Sequence, residues 1–484
     1  MSIAPANDKI QTKMKPVRVR FAPSPTGIPH IGNTRTALFD WLLARQSGGQ
    51  FIVRVEDTDR KRYQEESLEK ILAILEFLGL AWDEGPKVGG PYEPYFQSGR
   101  LKRYQEVAQE LVDKEVAYYC FCSPIRLQKL RQQQKEKGQI PKYDRHCLSL
   151  SKQEIEKKKK TSKYVIRLKT PDDKDFTWDD LVQGEITINS KDLDDQVLLK
   201  SDGFPTYHLA VVVDDHDMKI SHIVRGVEWI SSTPKHLFLY QSLGWPVPEI
   251  MHLPLILGPD KTKLAKRHGA KSVLDYRDEG YLKEALINFM VYLGWSYQDN
   301  SQLLSLEELV RVFDYKKIQK QNAIFDIKKL DWFNGQYIRM KSDKELTKLI
   351  KPFAPRGTKE DLLIKVVPLV KDRLIKLSDF KDLAGFFFKA PKVTGDLLKE
   401  NVKGDYKIYL KKAADALQSI EDWQEEEITS KLMNLIQEND WPTGDFFMSL
   451  RVAVAGSAHT PPINDSMAIL GKRETLERFQ SLLA

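Results

Sequence analysis

The sequence predicts an α/β protein: a parallel-sheet domain interrupted by an α+β insertion and followed by an all-α C-terminal region. Three patterns predict it. Near the start, short apolar strands alternate with amphipathic helices, as in βαβ units (Val17 to Phe21, then Ile31 onward; Gln50 to Val55, then Leu68 to Leu78). Between about 104 and 205, helical stretches give way to short alternating runs. Beyond about 340 the pattern is helical almost throughout, and alternating strand patterns are absent.

The first element carries the strongest signal. Val17, Val19 and Phe21 alternate with polar residues, which is a strand with one buried face. Pro23, Pro25 and Gly27 then stop the ladder and force a stiff turn. From Ile31, Leu38, Trp41 and Leu42 recur at helical spacing with Ala37 and Ala44 between them. His30 and Gly32 therefore stand at a helix entrance, where free backbone N–H groups and the positive dipole end make a phosphate seat. His30 and Ser24 add donors, and Gly32 lets a ligand approach the backbone. The plainer alternative is an ordinary strand-to-helix turn with an incidental histidine. Neither the Gly-rich phosphate loop nor the dinucleotide fingerprint fits.

Composition bounds the rest. At 484 residues the chain has room for three or four domains. No apolar run approaches the ~18 residues a bilayer span needs, so no membrane partner is expected. Residues 1–15 are polar and read as a loose tail rather than a signal or transit segment. The net charge of +7 permits a polyanionic partner without demanding one. Three cysteines make no even disulfide framework, which points to a reducing cytoplasm.

The second strand, Gln50 to Val55, ends in the acidic cluster Glu56-Asp57-Thr58-Asp59. A carboxylate at the carboxyl edge of a parallel sheet can receive a substrate ammonium group, so Glu56 is expected to face the crevice. Thr58 or Asp59 is expected to cap the helix that follows. Ser98 to Val116 reads as a further helix. Cys120, Cys122 and Cys147 then offer three thiolates to one ion, and tetrahedral zinc wants a fourth ligand; buried free cysteines are the alternative. Lys157 to Lys160 reads as a solvated basic face that could also line RNA.

Tyr164 to Leu168, Gly184 to Ile188 and Gln196 to Leu199 suggest a small, mostly antiparallel sheet. The run Leu209 to Val213 fits a buried parallel strand. Ile220 to Val224 is another strand and places Arg225 at a carboxyl edge, where its guanidinium can grip a carboxylate or pair with Glu228. His208, His216, His222 and His236 are irregularly spaced and read as structural. Asp260 to Gly269 packs four cations between Gly258-Pro259 and Gly269, a polar loop able to close over a triphosphate. In the C-terminal third, Ser342 to Glu345 has capping-box spacing. Helical stretches follow over 358–377, 406–420, 428–438 and 473–483.

The string Pro23-Ser24-Pro25-Thr26-Gly27, then His30-Ile31-Gly32-Asn33 and Arg35-Thr36-Ala37-Leu38, resembles the "HIGH" region of class I aminoacyl-tRNA synthetases, in the glutamyl/glutaminyl branch. Asn33 replaces the second His of that name. The loop Lys261-Thr262-Lys263-Leu264-Ala265-Lys266 resembles the partner "KMSKS" element, with Ala265 in place of the commoner Ser. The helical C-terminus matches the bacterial glutamyl type rather than types with anticodon β-barrels, and its presence argues against the truncated glutamyl-queuosine relative.

The resemblance implies a Rossmann-like catalytic domain in two halves, 16–103 and 206–262, around an acceptor-binding insertion at 104–205. It implies the KMSKS loop and a stem-contact domain at 263–340 and a helical anticodon-binding region at 341–484. The implied reaction is ATP-dependent ligation of L-glutamate to tRNA(Glu) through a glutamyl-adenylate, with Mg²⁺ on the phosphates and tRNA(Gln) open as a second acceptor. His30, Lys263 and Lys266 are the implied catalytic residues, and His30, Gly32, Asn33 and Lys266 the ATP contacts. Arg20, Ser24, Glu56, Tyr207 and Arg225 form the implied glutamate pocket, with Arg225 on the side-chain carboxylate. Cys120, Cys122, Tyr143 and Cys147 match a Zn²⁺ pattern in bacterial members, with the fourth ligand open between Tyr143 and His146. The expected enzyme is a cytoplasmic monomer. The competing readings are a small-molecule nucleotidylyltransferase of the same superfamily and a non-catalytic RNA-binding paralogue. The first would have no use for 140 further helical residues; the second predicts damage at His30, Lys266 or Arg225, and all three are intact.

Overall fold

The computed structural model describes residues 16–265, 271–297 and 303–483. They form two compact units, Met1–Leu274 with Ile287–Asp326, and Asp275–Leu286 with Ile327–Ala484.

In the first unit, β1 (Arg18–Phe21) feeds α1 (Ile31–Ser47), which returns to β2 (Gln50–Val53). The two strands pair in parallel, Arg18 opposite Gln50 and Phe21 opposite Val53. Gly49 makes this return possible: a Cβ there would lie 1.9 Å from the Val17 carbonyl oxygen. α2 (Glu65–Leu78) buries Leu68, Ile71, Leu72, Leu75 and Leu78 at the predicted helical spacing. It starts at Glu65 with Gln64 before it, so neither Thr58 nor Asp59 is its cap. Asp57 instead accepts from the Ser98 backbone N–H (2.8 Å) and Asp59 pairs with Arg62, which leaves the acidic cluster tying loops together.

The chain continues through α3 (Leu101–Asp113), β3 (Ala117–Cys120), α4 (Pro124–Glu136) and α5 (Lys152–Thr161). Next come β4 (Val165–Leu168), the hairpin β5 (Asp175–Asp180) and β6 (Gly184–Asn189), and β7 (Val197–Leu199). β4 and β7 pair in a small antiparallel sheet as expected, with β3, which the sequence did not announce, as its third strand. The hairpin does not join it. β5 instead runs parallel to the core strand Glu249–Leu253 through Asp180 and Ile250.

The run Leu209 to Val213 is helical, not a strand: α6 spans Tyr207–Asp217 and buries every residue from Leu209 to Asp215. A helix buried on all sides shows no polar stripe, so its sequence imitates an interior strand. β8 (His222–Gly226), α7 (Thr233–Leu243) and β9 (Glu249–Leu253) complete the core. β8 and β9 pair in parallel with Arg225 opposite His252, giving the order β6-β5-β9-β8. β1 lies beside β8, where the Ser221 N–H reaches the Arg18 carbonyl (2.9 Å).

The second unit is helical, with no strand among its described residues. Ser342 and Glu345 close the predicted capping box. The longest helices are Ile327–Met340, Tyr406–Gln418, Glu425–Asn439 and Thr443–Ala455. No helix among the described residues is long and apolar enough to cross a membrane.

Candidate active site

A cleft of ≈1190 Å³ opens at the carboxyl ends of β1, β2 and β8. Arg20, Ser24, Glu56, Tyr207 and Arg225 line it together with His30, Gly32, Asn33 and Lys263, so residues far apart in the chain converge on one space. Lys266 lies outside the described residues.

His30 caps α1. Its Nδ1 accepts the Gly32 N–H at 3.0 Å, which leaves Nε2 to carry the ring proton as a donor. Burial, and then nearby Lys263, hold its pKa below the ordinary histidine value, so the neutral tautomer is the working form. The seat of free N–H groups expected here is absent. The Ile31 N–H goes to the Lys271 carbonyl, and those of Asn33 and Thr34 to the His30 carbonyl. Side chains and the helix dipole are what remain to receive a phosphate. Gly32 serves by its lack of bulk, since a Cβ would stand 2.9 Å from the His30 ring.

Below the cleft lies a buried ionic network. Arg54, fully buried, binds Asp215 (2.6 Å) and Glu56 (3.2 Å). Asp215 also takes Arg20 Nε at 3.0 Å, and Asp214 takes Arg100 at 2.7 Å. Glu56 is pushed up to about 7 by burial, against the pull of Arg54 and Arg20. Ser24 Oγ donates to the Glu56 carbonyl (2.8 Å) and ties the two loops together.

Arg225 is 6% exposed and does not pair with Glu228, which binds Lys263 at 3.2 Å instead. Its partners are all neutral. Nε donates to His252 Nε2 (3.0 Å), Nη1 to His236 Nδ1 (3.1 Å) and Nη2 to Thr233 Oγ1 (2.8 Å), while Tyr207 Oη stands 3.5 Å from Nη1. Trp229 packs on the Tyr207 ring, centroids 4.4 Å apart. The four histidines read as structural divide: His208 and His236 join this cluster, His216 stacks on Trp245 and His222 bonds Ser221.

Sequence reasoning passed over Arg54, Asp180, Asp215 and His252, and read His236 as structural only. Asp214-Asp215 closing an apolar run was a usable signal, because carboxylates inside a buried helix need cationic partners.

The thiol groups of Cys120, Cys122 and Cys147 lie within 4.8 Å of one another. Tyr143 Oη is 3.3 Å from Cys120 Sγ and 3.2 Å from Cys122 Sγ, whereas His146 is exposed. Three thiols and a phenol at one point suit a tetrahedral ion.

Residues 16–332 match the family described as tRNA synthetases class I (E and Q), catalytic domain, and residues 345–483 match an anticodon binding domain. The chain belongs to this class I tRNA synthetase family. A glutamate–tRNA ligase of Dehalococcoides mccartyi is 44% identical to it over 480 residues, 97% of this chain and 98% of the relative. Another, of Treponema denticola, is 42% identical over 97% of this chain and 99% of its own length. A solved glutamate tRNA ligase of Elizabethkingia meningosepticum, in complex with its amino acid, superposes with a TM-score of 0.88 and 36% identity. That match covers 96% of this chain and 99% of the other.

Proposed function

We propose that this protein is a glutamate–tRNA ligase, joining L-glutamate to tRNA(Glu) at the expense of ATP. The observation that carries the reading is Arg225, a buried cation at the cleft wall whose hydrogen-bond partners among the described residues are neutral groups. A ligand carboxylate is the partner it lacks, and glutamine, equal in size but neutral, would leave it uncompensated. Glu56 receives the α-ammonium group; Arg20, Ser24 and Tyr207 shape the space between.

The α-carboxylate attacks the α-phosphorus of ATP and expels pyrophosphate, giving glutamyl-adenylate. The nucleophile is already ionised, so no general base is needed, and catalysis is positioning and charge stabilisation. The His30 Nε2–H, Asn33 and Lys263 face the phosphates, Lys266 is the further phosphate contact the KMSKS-like element implies, and Gly32 keeps the approach open. Mg²⁺ on the phosphates supplies further neutralisation. A terminal ribose hydroxyl of the tRNA then attacks the adenylate carbonyl and releases AMP. Cys120, Cys122, Cys147 and Tyr143 would hold Zn²⁺, which would brace the acceptor-binding insertion (104–205). A monomer working in the cytoplasm suits these substrates.

ATP–pyrophosphate exchange dependent on glutamate, with each purified tRNA added in turn, tests the reading. Exchange with glutamate only when tRNA(Glu) is present is expected. Exchange indifferent to any RNA would favour a small-molecule transferase, and none under any condition a non-catalytic paralogue. Metal analysis before and after chelation is expected to show one zinc per chain, lost with Cys147→Ser.

A further inference from the structure

We infer that Asp180 and His252 are positioning residues that set specificity for a carboxylate substrate, by fixing the tautomer of the imidazole that Arg225 meets. The inference rests on the reading that Arg225 receives the side-chain carboxylate of glutamate.

Three adjacent strands carry the relay. Asp180 ends β5, His252 lies in β9, and Arg225 is its cross-strand partner in β8. Asp180 and His252 are both buried, and Asp180 Oδ2 stands 2.5 Å from His252 Nδ1. Asp180 Oδ1 is fixed by the backbone N–H groups of Val182 (3.1 Å), Gln183 (2.9 Å) and His252 (3.2 Å). With a carboxylate beside Nδ1, the ring proton resides there and donates to Oδ2. Nε2 is then a bare lone pair 3.0 Å from the Arg225 Nε–H, which donates to it.

On the other flank the same logic holds. His236 Nδ1 accepts from Arg225, so its Nε2–H donates to His208 Nδ1 at 3.1 Å. A guanidinium has five N–H groups. Three go to His252, His236 and Thr233, the second on Nη1 makes a long 3.5 Å bond to Tyr207 Oη that a carboxylate would displace, and one remains on Nη2. Those two can grip a carboxylate side by side. Holding Arg225 by acceptors without charge keeps it attractive to an anion; an aspartate in direct contact would satisfy it. Asp180 therefore sits one imidazole away, ordering the site without neutralising its donor fork.

The test is Asp180→Asn. The amide oxygen keeps the backbone N–H bonds, so the amide NH₂ faces His252 Nδ1 and drives the ring proton to Nε2, against the Arg225 Nε–H. The KM for glutamate in pyrophosphate exchange with tRNA is expected to rise about tenfold, with kcat within about threefold and the ATP KM unchanged, since the loss is one misdirected hydrogen bond. Preference for glutamate over glutamine is expected to fall with it. His252→Gln supplies an acceptor that needs no tautomer, so whatever glutamate KM that variant shows, Asp180→Asn is expected to add less than about twofold on its background. An unchanged glutamate KM in Asp180→Asn would overturn the inference. So would an equal rise in the ATP KM, or the same cost in both backgrounds. Arg225→Ala run alongside separates the layers: if it leaves the glutamate KM unaltered, the reading of the pocket fails and takes the relay with it.

Discussion

Glu56 is a carboxyl whose burial sets its ionisation near neutrality, at about 7. It is protonated below that value and ionised above it. An ammonium group binds the ionised form, so the KM for glutamate is expected to fall as pH rises through 7 and to climb by up to about tenfold per unit below it. Glu56→Gln should give a high KM that is flat with pH. A flat profile in the wild type would mean that Glu56 does not meet the ammonium group. Its neighbour Arg54 is held by Asp215 and Glu56 and is fully buried. Arg54→Met would strand those carboxylates, and denaturant unfolding is expected to show a loss of about 3–5 kcal/mol. A loss below about 1 kcal/mol would mean the network reorganises freely. Arg225 was legible as a cation at a strand end, and Arg20 only through the resemblance. Their difference was not, because only the fold reveals that Asp215 meets Arg20 while neutral imidazoles meet Arg225.

At the scale of elements, α1 shows how far local chemistry reads. Its start at Ile31 followed from Pro23, Pro25 and the apolar spacing beyond. That His30 spends its Nδ1 on the Gly32 N–H was not legible, since histidine is not among the favoured caps. Gly32→Ala tests this arrangement. The added Cβ would stand 2.9 Å from His30 Cε1 and 3.0 Å from Nδ1, so the ring must move out of its cap. Turnover is expected to drop about tenfold or more while the thermal midpoint shifts by only a few degrees, because a Gly→Ala change early in a helix costs little backbone energy. Unaltered turnover would show that the position of His30 is immaterial. α6 is the opposite case: its all-round burial erased the periodicity, and the strand expectation failed for that reason. Of the hairpin β5–β6 only the second strand was read, in Gly184 to Ile188, and its sheet was not, because alternation reports a buried face and says nothing of which sheet supplies the neighbour.

At the scale of the whole molecule, the helical unit is built from two separate stretches of chain, Asp275–Leu286 and Ile327–Ala484. Nothing in the periodicity of 275–286 announces that it belongs with helices fifty residues on. The join is made by Asn334, which is 0% exposed. Its Oδ1 accepts the Leu282 N–H at 2.8 Å, and its Nδ2 donates to the carbonyls of Ile375 (2.6 Å) and Gly280 (3.3 Å). One side chain thus satisfies backbone groups from two segments that no ladder connects. Gly280 keeps a second partner in the Leu377 N–H (3.0 Å), so removing the amide orphans mainly the Leu282 N–H and the Ile375 carbonyl. Asn334→Ala is therefore expected to destabilise the helical unit by about 1–3 kcal/mol for each of those two groups. Asn334→Asp retains the acceptor and should lose less at a pH where the carboxyl is held protonated. Helical circular dichroism followed through a urea titration reads both variants. If Asn334→Ala unfolds at the wild-type urea concentration, the junction is held by its other contacts and the amide is incidental to it.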